Sequence, residues 1–343
     1  MTGSKTKRPR ICLLAAPETS PGVLYGLYDV LSTAGPAYAD MTSGESAETI
    51  LDVQIVSAAS EPFRCFGGVM VEPHGNIDQI DESDVAIVCD MYTPIDTPPH
   101  GRYEREIDWL KRIYAKGAIL GSVCSGTLLL AEAGLLDGQE ASGHWAYRQL
   151  CSDHYPKVRF RIGTILSRAG NEDRIVTAGG ATSWQDLALY LIARLCGSQH
   201  AIRTAKVHIL SDHSDGQLPF AVTSPRKQTT DALIGDCQSW IAEHYACENP
   251  VAKMTERSGL NPRTFARRFV AATGFHPVDY VHVVRIEEAK QLLETEKANV
   301  EDIGHTVGYE DPTFFRRLFK RKAGLTPAAY RRKFSRIAAL ESR

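Results

Sequence analysis

The sequence predicts an α/β chain in two parts: an amino-terminal, doubly wound, mainly parallel sheet, and a carboxyl-terminal all-α domain holding two helix-turn-helix units. Three observations carry that prediction. Short apolar runs alternate with helical patterns through the first two hundred residues, the alternation lapses near residue 212, and a segment beginning at Val251 recurs 49 residues later. At 343 residues the chain exceeds one ordinary core, because domains cluster near ~100–200 residues.

The strand-like runs are 11–16, 51–56, 85–89, 118–123, 160–166 and 174–177, separated by helical patterns such as 103–116 and 184–195. Such βα alternation builds a parallel sheet covered on both faces. Ligands of such sheets sit at the carboxyl ends of strands, where the residues just after Val123 fall. The first domain spans 8–211. A polar stretch with two prolines and a glycine then defines a linker over 212–230. The second domain, 231–336, reads as helix throughout: 231–245, 251–258, 262–272, 277–293, 300–307, 312–322 and a final basic helix from Pro327.

Composition narrows the function classes. Hydrophobic content of 43% and charged content of 23% fit a soluble globular protein. No apolar run approaches the ~20 residues of a membrane span, and the stretch after the basic start MTGSKTKRPR is too brief for a secretory signal. A cytoplasmic protein without membrane contact is expected. Eight cysteines without a CxxC pair or matched histidine spacing give no disulfide framework, no metal site and no cofactor. The net charge of -2 conceals a separation: residues 1–228 hold 21 Lys+Arg against 26 Asp+Glu, whereas 251–343 hold 18 against 11. Nine Lys/Arg and no acidic residue fall between Pro312 and Arg336. A basic face of this kind suits a polyanion.

The repeat locates that face. VAKMTERSGLNPRTFARRF from Val251 overlays VEDIGHTVGYEDPTFFRRL from Val300, pairing Gly259/Gly308, Thr264/Thr313, Phe265/Phe314, Arg267/Arg316 and Arg268/Arg317. After one inserted residue, Gly274/Gly324, Pro277/Pro327 and Tyr280/Tyr330 also pair. Each copy is helix, glycine turn, helix. Phe265, Phe269, Phe314 and Leu318 are expected to pack the second helix on the first, leaving the four arginines outside. Asn261, Pro262, Arg263 and Thr264 open one recognition helix, and Glu310, Asp311 and Thr313 the other, where residues reach base edges in the major groove. Tyr280, Val283, Ile286, Ala289 and Leu293 form the core stripe of the helix between them.

Residues 231–336 resemble the AraC/XylS DNA-binding domain, and VGYEDPTFFRRLFKRKAGLTPAAYRRKF follows its signature almost throughout. Gly304 departs from the alanine usual there and is expected to loosen its helix slightly. Double-stranded promoter DNA is the implied partner, with RNA polymerase as a further one.

In GSVCSGT, a strand ending at Val123 turns sharply into a helix, setting Cys124 at an elbow. Gly126 is small enough for helix and strand to approach. A helix amino terminus stabilises thiolate, so a lowered Cys124 pKa is expected, with His144 as a partner. SVCSGTLLLAEAGLLDGQEASGHW and DRIVTAGGATSWQDLALYLI resemble the PfpI/ThiJ, class-I glutamine-amidotransferase-like superfamily, in the branch fused to AraC-type domains. A flavodoxin-like fold and a homodimer follow from the resemblance. Catalytic relatives place an acidic side chain after the first strand and a glycine pair in an oxyanion hole. Here the acidic position falls near Val23, with Glu18 too early, and Asp90, Met91 and Tyr92 stand where the glycine pair would be.

The old active site is therefore read as a sensor pocket lined by Cys124, Ser125, His144, Trp145, Tyr92 and Thr182. Tyr92, Trp145 and Trp184 suit a cationic amine, and the resemblance implies an amino acid or amine effector. Two alternatives stay open: an active amidase- or hydratase-type thiol enzyme fused to a DNA-binding domain, and a thiol redox sensor.

Overall fold

In a computed structural model, residues 8–44, 48–211, 213–222 and 229–338 are described. The chain divides into two compact units, 1–217 and 218–343.

In the first unit the strands are β1 (Arg10–Leu14), β2 (Asp52–Ser57), β3 (Phe63–Arg64), β4 (Met70–Val71), β5 (Gly75–Asn76), β6 (Val85–Val88), β7 (Ile119–Val123), β8 (Glu140–Ala141), β9 (Arg159–Phe160), β10 (Leu166–Ala169) and β11 (Ile175–Ala178). Seven form one sheet in the order β10-β11-β7-β6-β1-β2-β5. Every neighbouring pair is parallel except β10 with β11 at the edge. Alternation along β1 shows why both faces are covered: Ile11 and Leu13 enter one apolar cluster, Cys12 and Leu14 the other. The helices are α1 (Pro21–Ser32), α2 (Pro36–Thr42), α3 (Glu104–Ala115), α4 (Thr127–Glu132), α5 (Arg148–His154), α6 (Trp184–Cys196) and α7 (Ser198–His208). Leu24, Leu27 and Leu31 of α1 and Leu187 and Leu191 of α6 fill the first cluster. Trp109, Leu110 and Ile113 of α3 and Leu128 to Leu130 of α4 fill the second.

The strand expected over 160–166 does not exist as such. Phe160 ends β9, which pairs with β8 in a separate two-stranded sheet, and Leu166 begins β10. One apolar run thus serves two sheets, with a turn between them at Ile162 and Gly163.

The second unit is helical: α8 (Ala232–His244), α9 (Pro250–Ser258), α10 (Pro262–Thr273), α11 (Pro277–Thr295), α12 (Val300–Thr306), α13 (Pro312–Ala323) and α14 (Pro327–Ala338). Five of these start with proline at the first helical position, where the missing N–H costs nothing, four of them after an Asn, Asp or His. It has two cores. Met254, Phe265, Phe269 and Tyr280 belong to one, Ile303, Phe315, Phe319 and Tyr330 to the other. Helix α11 supplies Tyr280 and Val281 to the first and Ile286, Ala289 and Leu293 to the second. Arg285 in the same helix is nearly buried. It donates to the carbonyls of Tyr245 (2.7 Å), Cys247 (3.0 Å) and Gly308 (2.7 Å).

The structure corrects the register of the repeat. First helices align at an offset of 49, through Met254/Ile303 and Gly259/Gly308, but second helices align at 50: caps Asn261/Asp311, buried Phe265/Phe315 and Phe269/Phe319, and left-handed caps Gly274/Gly324. The inserted residue lies in the turn, where Tyr309 and Glu310 stand opposite Leu260 alone. Phe314 is accordingly half-buried, and Phe315 takes the core position. Gly304 also has a packing role: a Cβ there would lie 2.9 Å from Cδ1 of Phe315.

Candidate functional site

Strand β7 ends at Val123 and the chain turns at Cys124 with φ 56°, a left-handed conformation that a side chain rarely adopts. Close packing holds the turn. A Cβ on Gly126 would lie 2.6 Å from the carbonyl oxygens of both Val88 and Cys89, so only glycine lets the elbow pass over β6.

Cys124 is buried at this elbow, 6% exposed. Its thiol pKa is pushed well above the ordinary value by burial first, then by the charge of Asp90 and a hydrogen bond to it, against a smaller opposing contribution from the Ser125 backbone. The expected lowering is overturned. A helix terminus acts within one turn, but here desolvation and a carboxylate reached from 34 residues earlier outweigh it.

Asp90 is the hub of the site. Its Oδ1 accepts from Ser125 Oγ at 2.6 Å, and its charge bears on Cys124, His144 and Tyr147. The His144 Nδ1 accepts from the N–H of Ala146 at 3.1 Å, capping the turn that follows it. Burial lowers the His144 pKa, and Asp90 partly restores it. Among the described residues no hydrogen bond joins His144 to Cys124. Trp145 packs against His144 with ring centroids 5.1 Å apart.

Backbone donors at this turn are already committed. Met91 N–H donates to Ser125 Oγ at 3.0 Å, Tyr92 N–H to Glu18 O at 2.7 Å, and Ser125 N–H to Asp90 Oδ1 at 3.4 Å. An oxyanion would find no preorganised pair there. Glu18 itself is paired with Arg102 at 2.7 Å, and Val23 is core.

Of the expected lining residues, Cys124, Ser125, His144 and Trp145 come together. Tyr92 is exposed and stacks on Phe66 with centroids 4.9 Å apart. Thr182 stands in a different group: its Oγ1 faces Nε2 of His213 at 3.4 Å, and His213 Nδ1 pairs with Asp186 at 2.6 Å. Trp184 is not an aromatic wall of the pocket. It packs on α1, where a Cβ on Gly26 would lie 2.7 Å from its ring. Asp90 and Tyr147, whose hydroxyl donates to Thr93 O at 2.6 Å, were missing from the expected lining. A cavity of about 700 Å³ lies at the opposite, amino end of the strands, lined by Arg10, Asp84, Lys116 and Ile119 among others. It is remote from this chemistry.

On the helical unit, Asn261 and Asp311 cap their helices, accepting from Thr264 N–H (3.0 Å) and Thr313 N–H (2.8 Å). Arg263, Arg267, Arg268, Arg316 and Arg317 are exposed, as are Glu310 and Thr313, while Thr264 is half-buried. They are not equivalent. Arg268 Nε donates to Asp231, the cap of α8, at 2.5 Å, and Arg316 pairs with Glu301. Arg317 lies over the Phe314 ring at 5.7 Å. With the corrected register, Arg267 corresponds to Arg317, and Arg263 to Thr313.

A DJ-1/PfpI family profile matches residues 11–194, and a helix-turn-helix domain profile matches residues 254–333. The chain is 25% identical over 282 residues to the HTH-type transcriptional regulator CdhR of Pseudomonas aeruginosa, covering 80% of each protein. It is 25% identical over 228 residues to the HTH-type transcriptional regulator GlxA of Rhizobium meliloti, covering 65% of this chain and 68% of that one. A solved Vibrio parahaemolyticus protein shares the fold at a TM-score of 0.50 and 18% identity, over 60% of this chain and 100% of that one.

Proposed function

Because the chain belongs to the DJ-1/PfpI family and carries an AraC-type helix-turn-helix domain, we propose that it is a ligand-responsive, sequence-specific transcription regulator. One observation carries this reading: two helix-turn-helix units share α11, and each presents arginines on an exposed second helix. The named roles of CdhR and GlxA support it. Residues 8–211 sense, 231–336 read DNA and 212–230 join them. Arg263, Arg267, Thr313 and Arg317 reach bases or phosphates first. Arg268 and Arg316 must first leave Asp231 and Glu301, while Asn261, Thr264, Glu310 and Asp311 set the entry of each helix. The protein acts in the cytoplasm as a homodimer and meets RNA polymerase at the promoter.

The first unit is proposed as a non-catalytic sensor. The committed N–H groups of Met91, Tyr92 and Ser125 support that, since one missing oxyanion donor costs about 3 kcal/mol of transition-state stabilisation. The effector is a small metabolite held near Cys124, Ser125, His144, Trp145 and Tyr92, with Thr182 at a neighbouring loop. The Asp90 carboxylate and the aromatic faces favour an amino acid or amine.

Selection of duplexes from a random library by the full chain tests the DNA reading. The enriched duplex should bind with an affinity that falls steeply as salt rises, because bound phosphates release counterions. Failure to enrich any duplex would sink it. The positive φ at Cys124 favours one rival, an active thiol enzyme. Turnover of an amide or aldehyde substrate that Cys124→Ala abolishes would establish that rival.

A further inference from the structure

Residues 213–222 fall inside the segment read as a linker, yet they are built into the units on either side. In the first unit Gln217 is 4% exposed, and its Nε2 donates to the carbonyls of Gly143 and Thr164, both at 3.1 Å. Those two acceptors fix the orientation of the amide, since the flipped form would set oxygen against oxygen. Its Oε1 is left buried without a partner among the described residues. Glycines make the room: a Cβ on Gly179 would lie 2.0 Å from Nε2 of Gln217, and one on Gly216 would lie 2.3 Å from Gly163 O. His213 adds two bonds to Asp186, through its backbone N–H (3.3 Å) and Nδ1 (2.6 Å). Gly143, whose carbonyl accepts from Gln217, immediately precedes His144. The anchor therefore rests on the turn that carries the pocket histidine.

In the second unit, the ammonium of Lys290 on α11 is buried and donates to Ala221 O at 2.7 Å. The Phe220 ring meets Phe334 of α14 edge-on at 5.6 Å, with Lys333 Nζ 4.9 Å from its centroid. Only Leu218 and Pro219 separate Gln217 from Phe220 in sequence, and proline fixes its own φ. A passive connector is solvated and polar. Here the NH2 of a buried carboxamide is taken up by two carbonyls, and a buried ammonium by the Ala221 carbonyl and the Glu287 carboxylate, and donors so buried would be costly without them.

We propose that residues 213–222 form a strap that passes the state of the Gly143–His144 turn to α11, the scaffold shared by both helix-turn-helix units. The proposal rests on the regulator reading above. An effector that displaces that turn removes one of the two acceptors of Gln217, Gly143 O, and leaves Thr164 O alone, which gives the differential contact that coupling requires.

The test uses the full chain and the duplex it enriches from a random library. Gln217→Met removes the first anchor at similar volume, and Phe220→Ser removes ring packing at the second, at an exposed position outside both helical cores. Each variant should speed hydrogen exchange across 213–222 and change Kd for the duplex by at least about fivefold, the low end of ordinary coupling factors. The double variant should show the same factor and direction as either single, because the anchors act in series. A smaller change, or factors that multiply in the double variant, overturns the strap while leaving DNA binding intact. A parent chain that enriches no duplex defeats the regulator reading and the strap with it. If Gln217→Met does not fold, the fivefold threshold for Phe220→Ser decides alone.

Discussion

Replacing Phe314 and Phe315 separately by alanine tests the corrected register. Phe315 is fully buried, stacks on Tyr309 at 5.5 Å, meets Phe319 at 5.8 Å and sits on Gly304. Truncating such a ring loses its transfer free energy and leaves a cavity, costing about 3–5 kcal/mol. That is a large share of the ~5–15 kcal/mol that holds a domain. Phe314 is half-buried and its other face carries Arg317, so its loss should cost only about 1 kcal/mol. Amide hydrogen exchange of the full chain, followed over α11 to α13, reads the opening free energy of this region without requiring global two-state melting. Phe315→Ala should remove protection throughout, and Phe314→Ala should leave most of it. If Phe314→Ala proved equal or worse, the offset of 49 would hold through the second helix. The equivalence of Arg267 with Arg317 would then fail.

Gly304→Ala gains about 1 kcal/mol of helix propensity, but its methyl meets the Phe315 ring and overpacking costs about 1–3 kcal/mol; the same exchange experiment should show no stabilisation. Cys124 should label slowly with iodoacetamide at neutral pH, because a raised thiol pKa leaves little thiolate; Asp90→Asn removes the opposing charge, so labelling measured by mass spectrometry should speed up, and an unchanged or slower rate refutes the role given to Asp90. Arg267→Ala should weaken the selected duplex and reduce its salt slope by about 0.9 if the arginine meets one phosphate. Arg268→Ala should instead also loosen α8, seen as faster exchange near Asp231, since its guanidinium is already paired there.

Local patterns were legible where local chemistry decides the outcome. The apolar runs of β1, β6 and β7, the need for glycine at 126 and 259, and the stripe from Tyr280 to Leu293 depend on spacing within one or two elements. The repeat register was not, because the Phe314–Phe315 doublet matches Phe265 at either offset and the adjacent Thr and Arg residues reward the wrong one. Only burial breaks that tie. The raised Cys124 pKa is hidden in the sequence for a similar reason: the helix terminus is visible beside it, whereas Asp90 arrives by β6 lying next to β7. Gln217 carried no signal at all in its own neighbourhood, since its acceptors Gly143 and Thr164 lie 74 and 53 residues away.

The Cys124 turn separates two properties that a nucleophile elbow usually combines. Backbone shape comes from packing: Gly126 against the carbonyls of Val88 and Cys89 holds the turn, and the left-handed Cys124 stores about 1–3 kcal/mol of strain that this packing must offset. Reactivity comes from electrostatics: free N–H donors and a stabilised thiolate. Here Ser125 and Glu18 take the donors, and Asp90 opposes the thiolate. On the proposed reading, a ligand that neutralises Asp90 or displaces Ser125 alters a connected network rather than a reaction coordinate. On the same reading the packed elbow is the fixed part of the site and the His144 turn the movable one, since the carbonyl of Gly143, next to His144, holds Gln217.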